Sequence, residues 1–193
     1  MTISDYAVRV VDALDSAGVP YFLTGALVLG AYGPARATKD LDFVIDLGGV
    51  PIARVAQLLG DDFVLDPQIQ FETITSSAVF KFDIRGAGFI AELFLLGDDP
   101  FMRERFGRRY AIDLLGRRIA IPTAEDIIVQ KIRWFARGGR PKDRSDAAMV
   151  LTAMFESLDW PYIRRWAAEH ETTGLLEELI AEKERAERAL GGK

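Results

Sequence analysis

The chain of 193 residues contains no cysteine and a single histidine, His170. The lack of cysteine excludes a disulfide framework, a thiolate metal site and a cysteine nucleophile. A single histidine excludes a metal site built from several imidazoles. No apolar run approaches the ~18 residues that a membrane span needs, and the first residues lack the basic-then-apolar pattern of a signal peptide. We therefore expect a cytoplasmic protein without a membrane segment.

Basic residues are outnumbered by acidic ones, with 24 Lys and Arg and 29 Asp and Glu. An acidic balance disfavours a nucleic-acid partner when it is uniform. Here it is not uniform, because residues 103–144 carry twelve Lys and Arg against five Asp and Glu. We call this segment the basic band. Its positive charge is compatible with an anionic partner although the protein as a whole is acidic.

Apolar periodicity predicts an α+β protein with a small mixed sheet and flanking helices. Strands are expected at 21–24, 41–45, 78–84 and 89–96, the last two forming a hairpin around Arg85-Gly86-Ala87-Gly88. A second small hairpin is expected around Gly116, and helices follow from Thr123 onward. We therefore assign residues 1–122 to a sheet-containing core and residues 123–193 to a C-terminal helical region packed on it.

Two aspartates on the second predicted strand, Asp40 and Asp42, carry the main chemical signal. Residues two apart on a strand face the same side, so these carboxylates project together and repel each other unless cations lie between them. Hard divalent cations such as Mg²⁺ prefer oxygen ligands. Gly25 precedes a short predicted helix whose first amides can bind an anion. The alternative is that Asp40 caps the strand and Asp42 is solvated at an edge.

A third carboxylate is expected on a neighbouring strand. Glu92 is the only charged residue in the apolar run from Phe89 to Leu95, and a buried acid without a partner is costly. Asp83, on the preceding strand, is the competing candidate. Each also has a simpler interpretation as a polar residue on the outward face of the hairpin.

These segments together resemble the nucleotidyltransferase superfamily with the polymerase-β-like fold. The closer resemblance is to AbiEii/MenT-type and minimal nucleotidyltransferases of prokaryotic toxin–antitoxin systems. The matching residues are Gly25-Ala26, Arg36-Ala37-Thr38-Lys39-Asp40-Leu41-Asp42, Glu92, and the helix from Thr123 with the Arg140-to-Asp146 segment after it. The sequence departs from the family pattern at Ala26, where many members have serine or glycine, and at Glu92, where aspartate is usual.

The resemblance implies a Mg²⁺-dependent nucleotidyltransferase that transfers a nucleotide from an NTP to an acceptor hydroxyl. It implies that Asp40, Asp42 and Glu92 are catalytic and bind two Mg²⁺ ions. It also assigns nucleotide binding to Gly25 and Ala26. The implied acceptor is a tRNA 3′ end or a protein hydroxyl, and the implied protein partner is a cognate antitoxin. Two alternatives stay open: an antibiotic-type transferase with a small-molecule acceptor, and a catalytically silent domain that binds a nucleotide or a partner.

Two cations complete the predicted nucleotide site. Lys131 shares an apolar helix face with Ile127 and Phe135, so its ammonium either extends outward or points into a pocket. The resemblance favours a pocket in which Lys131 neutralises the triphosphate. Arg36 is either a phosphate contact or an ordinary loop charge. The aspartates at 143 and 146 are expected to pair with nearby cations.

Overall fold

The structure is a computed structural model that describes residues 1–34 and 36–191. The chain divides into two units. The first contains residues 1–28 and 36–122, and the second contains residues 29–34 and 123–191. The second unit therefore takes a short segment from early in the chain as well as the C-terminal helices.

The first unit contains a six-stranded sheet, a separate hairpin and several helices. The helices are α1 (Ile3–Ala17), α2 (Ala26–Leu29, which runs to the edge of the unit), α3 (Ile52–Leu59) and α4 (Pro100–Arg108). The strands are β1 (Tyr21–Thr24), β2 (Asp40–Ile45), β3 (Phe63–Leu65), β4 (Gln70–Glu72), β5 (Ser77–Ile84), β6 (Phe89–Leu95), β7 (Tyr110–Leu114) and β8 (Arg117–Ile121).

Helix α1 shows how local sequence sets an element boundary. Thr2 accepts a hydrogen bond from the Asp5 amide, and the Asp5 carboxylate accepts one from the Thr2 amide. This reciprocal capping satisfies two amide groups that the first turn leaves without helical partners. The helix ends at Gly18, whose φ of 66° is the left-handed conformation that glycine adopts readily.

The main sheet has the strand order β1-β2-β6-β5-β3, with β4 also paired to β5. Strands β2 and β6 are parallel, and the other pairs are antiparallel. On β2, Leu41, Phe43 and Ile45 are fully buried, whereas Asp40 and Asp42 on the opposite face are half-buried. The sheet therefore has one apolar face and one face on which carboxylates are accessible.

The α+β prediction is confirmed, as are both hairpins. Helix α4 was not predicted, because its buried side includes Arg105 beside Phe101 and Phe106 and so does not show an apolar stripe. Asp99 caps this helix by accepting a hydrogen bond from the Met102 amide. Strands β3 and β4 were also not predicted, since three residues are too few to show an alternating pattern.

The second unit is helical. It contains α5 (Ala124–Gly138), α6 (Pro141–Met154), α7 (Trp160–Glu169) and α8 (Thr173–Gly191). As expected, Thr123 caps α5 through a hydrogen bond from the Asp126 amide. Asp126 is itself buried and accepts hydrogen bonds from Thr123 and Tyr162. Across the described residues of both units, no helix has the length and apolar character needed to cross a membrane.

Candidate active site

A row of four polar side chains crosses the accessible face of the main sheet. Strand register pairs Thr24 of β1 with Asp42 of β2, Asp42 with Glu92 of β6, and Glu92 with Lys81 of β5. Directly paired residues on neighbouring strands project to the same face. We call Thr24, Asp42, Glu92 and Lys81 the polar row. It lies where the sequence placed the candidate carboxylates.

Asp40 lies two residues before Asp42 on the same face, in the next row along the sheet. Its register partner is Ile90, whose partner on β5 is Asp83. Asp83 is exposed and is separated from Asp40 by the full width of β6. Glu92, in contrast, stands directly beside Asp42. The register therefore makes Glu92 the nearer of the two candidate third carboxylates.

Gly25 gives Asp42 a fixed neighbour at one end of the row. Its φ is 68°, and a Cβ built on it would lie 1.9 Å from Asp42 Oδ2. Any side chain at this position would therefore overlap the Asp42 carboxylate. The carboxylate is turned toward β1 and fills the space that a glycine leaves at the start of α2.

Glu92 is held at the other end of the row by a lysine. Lys81 Nζ lies 3.1 Å from Glu92 Oε1, and each side chain is 24% exposed. Asp42 and Glu92 are thus neighbours in register, but their carboxylates have different partners on opposite sides of the pair. The Asp42 carboxylate lies beside Gly25, and the Glu92 carboxylate contacts Lys81. Lys81 was not among the site residues predicted from the sequence, although Lys81 and Asp83 are the only charged residues of β5.

A buried arginine supports the β1 end of the row. Arg105 of α4 donates a hydrogen bond from Nη2 to Thr24 Oγ1 at 2.9 Å. Its guanidinium also lies 4.7 Å from the centre of the Phe22 ring, a favourable cation–π distance. Thr24 immediately precedes Gly25, so this contact anchors the turn against which Asp42 lies. Arg105 was not predicted as a site residue because helix α4 was not predicted.

The carboxylates fit a hard divalent cation in chemistry but are not gathered into a preformed site. Asp40, Asp42 and Glu92 supply only oxygen donors, which Mg²⁺ prefers. However, among the described residues no three acidic or histidine side chains converge closely enough to hold a metal. The directions of Asp42 and Glu92 account for this, since Gly25 and Lys81 lie on opposite sides of the pair. A cation bound by all three carboxylates would compete with Lys81 for Glu92.

The predicted nucleotide-binding residues lie in different surroundings. Ala26 is buried at the start of α2, and Arg36 is exposed. Lys131 belongs to the second unit, where its Nζ lies 2.9 Å from Asp143 Oδ1 and 2.8 Å from Asp146 Oδ2. The expected pairing of these two aspartates with a nearby cation is therefore confirmed. The role of Lys131 as a triphosphate contact stays a prediction.

The Lys131 cluster extends to an arginine and a tryptophan. Arg140 Nε lies 2.8 Å from Asp143 Oδ2, although its N–H is not aimed at that oxygen. The Lys131 and Arg140 cations each lie 5.4 Å from the centre of the Trp134 ring. We call Lys131, Asp143 and Asp146 the buried triad, because all three are buried.

Many cations of the basic band are paired within the protein. The band runs through both units, and at least six of its twelve cations are in ion pairs. These six are Arg103, Arg117, Arg118, Lys131, Arg140 and Arg144. Much of the positive charge that suggested an anionic partner is therefore compensated within the protein.

Comparison with family models and with curated proteins finds no match. Solved structures do match. An antigenic nucleotidyltransferase-like protein from Paracoccidioides brasiliensis aligns with a TM-score of 0.60 and 21% identity, over 97% of this chain and 92% of that one. ANT(2″)-Ia, crystallised in complex with adenylyl-2″-tobramycin, aligns with a TM-score of 0.63 and 14% identity, over 89% of this chain and 98% of that one.

The solution structure of the antibiotic-resistance factor ANT(2″)-Ia gives a TM-score of 0.60 at 15% identity, over 91% of this chain and 95% of that chain. Both proteins are covered almost completely, so the likeness extends over the sheet-containing and helical units alike. The expected resemblance to the nucleotidyltransferase superfamily is confirmed for the fold, and the finer AbiEii/MenT assignment stays a prediction. The chain has the fold of nucleotidyltransferase-like proteins.

Proposed function

We propose that this protein is a nucleotidyltransferase that moves a nucleotide from an NTP to an acceptor hydroxyl. The observation that carries the proposal is the polar row itself, with Asp42 beside the Gly25 turn, Glu92 on the adjacent strand and Asp40 two residues away. Carboxylates are seldom grouped on a half-buried sheet face unless cations compensate their repulsion. The superfamily fold supports the same assignment.

Each site residue has a role in this proposal. Asp40, Asp42 and Glu92 would hold Mg²⁺, in two ions, which would supply charge stabilisation at the triphosphate. The Gly25 and Ala26 amides, with Arg36, would orient the phosphates. The acceptor oxygen forms a bond to the α-phosphorus, and pyrophosphate leaves with the electrons of the broken bond. Glu92 accepts the hydroxyl proton as this bond forms.

The motif resemblance supports a macromolecular acceptor, a tRNA 3′ end or a protein hydroxyl, in a toxin whose partner is a cognate antitoxin. The basic band gives this reading its electrostatic argument. The argument is weakened because at least six cations of the band are in ion pairs, and a paired cation is less available to a phosphate backbone.

A small-molecule acceptor is the second candidate. It is favoured by the TM-score of 0.63 with ANT(2″)-Ia, a protein crystallised in complex with adenylyl-2″-tobramycin. The pairing of the basic band is consistent with this candidate, since an uncharged or cationic acceptor needs no surface of unpaired cations. In this reading the chemistry at the α-phosphorus is unchanged, and only the source of the attacking hydroxyl differs.

A transfer assay tests the proposal. The purified protein is incubated with Mg²⁺ and each of the four NTPs, labelled at the α-phosphate, in the presence of total RNA, cell protein or an aminoglycoside panel. We expect label in one acceptor fraction, and the fraction identifies the acceptor class. The Asp42→Ala variant should lose at least ~100-fold of this transfer. Asp83→Asn is the matched control, since Asp83 is an exposed acid on the same face.

Two results would contradict the proposal. The first is transfer that is equal in the wild type and the Asp42→Ala variant, because the polar row would then not carry the reaction. The second is an absence of both transfer and Mg²⁺-dependent thermal stabilisation by any NTP. That result would favour the catalytically silent alternative suggested by Ala26.

A further inference from the structure

Lys81 pairs with the third candidate carboxylate from the side of β6 that faces away from the first two. Its Nζ contacts Glu92 Oε1 at 3.1 Å from the β5 side, whereas Asp42 is turned to β1 and fills the space beside Gly25. Any side chain at position 25 would overlap the Asp42 carboxylate, so the glycine permits the orientation that Asp42 adopts. A single ion pair determines where Glu92 lies.

This difference has a consequence for metal binding. A cation shared by Asp42 and Glu92 has to compete with the Lys81 ammonium for the Glu92 carboxylate. Both partners of the ion pair are 24% exposed, so water and salt screen it and its strength is modest. A divalent ion carries a higher charge than the lysine ammonium, and a polyphosphate bound with it adds oxygen ligands that hold the ion at the site.

We propose that Lys81 is a positioning residue that keeps Glu92 out of the metal site until the metal–nucleotide complex is bound. The proposal rests on the nucleotidyl-transfer function proposed above. It assigns the enzyme without nucleotide a weak two-aspartate metal site, formed by Asp40 and Asp42. It assigns the complex a third carboxylate, released from Lys81. The state without nucleotide thereby keeps its carboxylate charges partly compensated.

Mn²⁺ binding without nucleotide gives a readout that does not depend on turnover. Free Mn²⁺ is measured by electron paramagnetic resonance during titration of the wild type, Lys81→Met, Lys81→Arg and Lys39→Met. We expect Lys81→Met to bind Mn²⁺ about threefold more tightly than the wild type, as expected for the loss of one partly exposed ion pair. Lys81→Arg keeps the pair and should bind like the wild type.

Lys39→Met is the matched control for charge alone. Lys39 is exposed and immediately precedes Asp40, so its removal deletes the same charge near the carboxylates without touching Glu92. Equal tightening in Lys39→Met and Lys81→Met would overturn the proposal, because a general field effect would explain it. Unchanged or weaker binding in Lys81→Met would also overturn it.

Adding a non-hydrolysable NTP analogue provides the second measurement. With the analogue present, Lys81→Met should still bind Mn²⁺ more tightly than the wild type, because the wild type has to break the Lys81–Glu92 ion pair to bind the complex and the variant does not. If the wild type binds Mn²⁺ but Lys81→Met is indistinguishable from it in both states, only the role of Lys81 is wrong. If no protein binds Mn²⁺ with or without the analogue, the proposed function fails and this inference fails with it.

Discussion

Each unit of the molecule contains a lysine held by carboxylates, and the two clusters differ mainly in burial. In the buried triad, the side chains of Lys131, Asp143 and Asp146 are 8%, 1% and 5% exposed. In the polar row, Lys81 and Glu92 are each 24% exposed and are joined by a single contact. Burial makes charges dependent on their partners, whereas partial exposure lets water replace a partner at low cost. The first arrangement resists rearrangement, and the second permits it.

Removing the lysine from each cluster tests this contrast most strongly. Lys131→Met should lower the free energy of unfolding by about 3–5 kcal/mol, because it removes the cation that two buried aspartates share. Lys81→Met should lower it by less than about 1 kcal/mol. Urea denaturation of both variants at neutral pH measures the difference. Similar losses in the two variants would remove the distinction between a structural cluster and an adjustable one.

A second test asks whether the adjustable cluster carries chemistry. Glu92→Gln removes the carboxylate charge and the proton acceptor, so nucleotidyl transfer should fall about 100-fold with little change in stability. Asp83→Asn, on the same sheet face, should leave transfer unchanged. Steady-state rates at saturating NTP measure both. A loss confined to Asp83→Asn would move the third carboxylate to β5.

A third test concerns the end of the row at which Asp42 lies against Gly25. Gly25→Ala combines an unfavourable positive φ with an overlap on Asp42 Oδ2, so we expect a stability loss of about 1–3 kcal/mol together with impaired transfer. Gly18→Ala is the matched control, because Gly18 has a φ of 66° and open space around its Cα. It should cost about 1 kcal/mol and leave transfer intact. Equal effects would mean that backbone conformation alone, without the Asp42 contact, makes glycine necessary.

The smallest expected effect concerns Tyr21, a buried side chain that is neutral at ordinary pH. Burial, with a further contribution from Asp15 and Asp12, raises the pKa of Tyr21 to about 12 from an ordinary value of 10. The unfolded phenol therefore ionises first, and the folded state loses stability as pH rises from 10 to about 12. Tyr21→Phe should show a flatter decline over this window in urea titrations. An identical decline in both proteins would show that Tyr21 does not contribute.

Much of the fold and part of the site could be predicted from the sequence. The β5–β6 hairpin was predictable because its apolar strands flank a glycine-containing turn. The shared face of Asp40 and Asp42 was predictable because alternation along a strand is a local property. The relation between Asp42, Glu92 and Lys81 was not predictable, because strand register is set by the whole sheet. The support of Thr24 by Arg105 was hidden for a related reason, since an arginine inside a helix is not expected to be buried.

The short segment 29–34 limits how this protein can be divided. These residues belong to the helical unit although they lie between the Gly25 turn and the strand that carries Asp40 and Asp42. A Cβ on Gly33 would come within 3.0 Å of Met149 Sδ, so this segment packs closely on α6. A fragment that ends at residue 122 would keep every carboxylate of the polar row but lose the surface on which 29–34 folds. Truncation at the apparent boundary would therefore disturb the loop that joins the two motifs, and whole-chain variants are the appropriate way to study either unit.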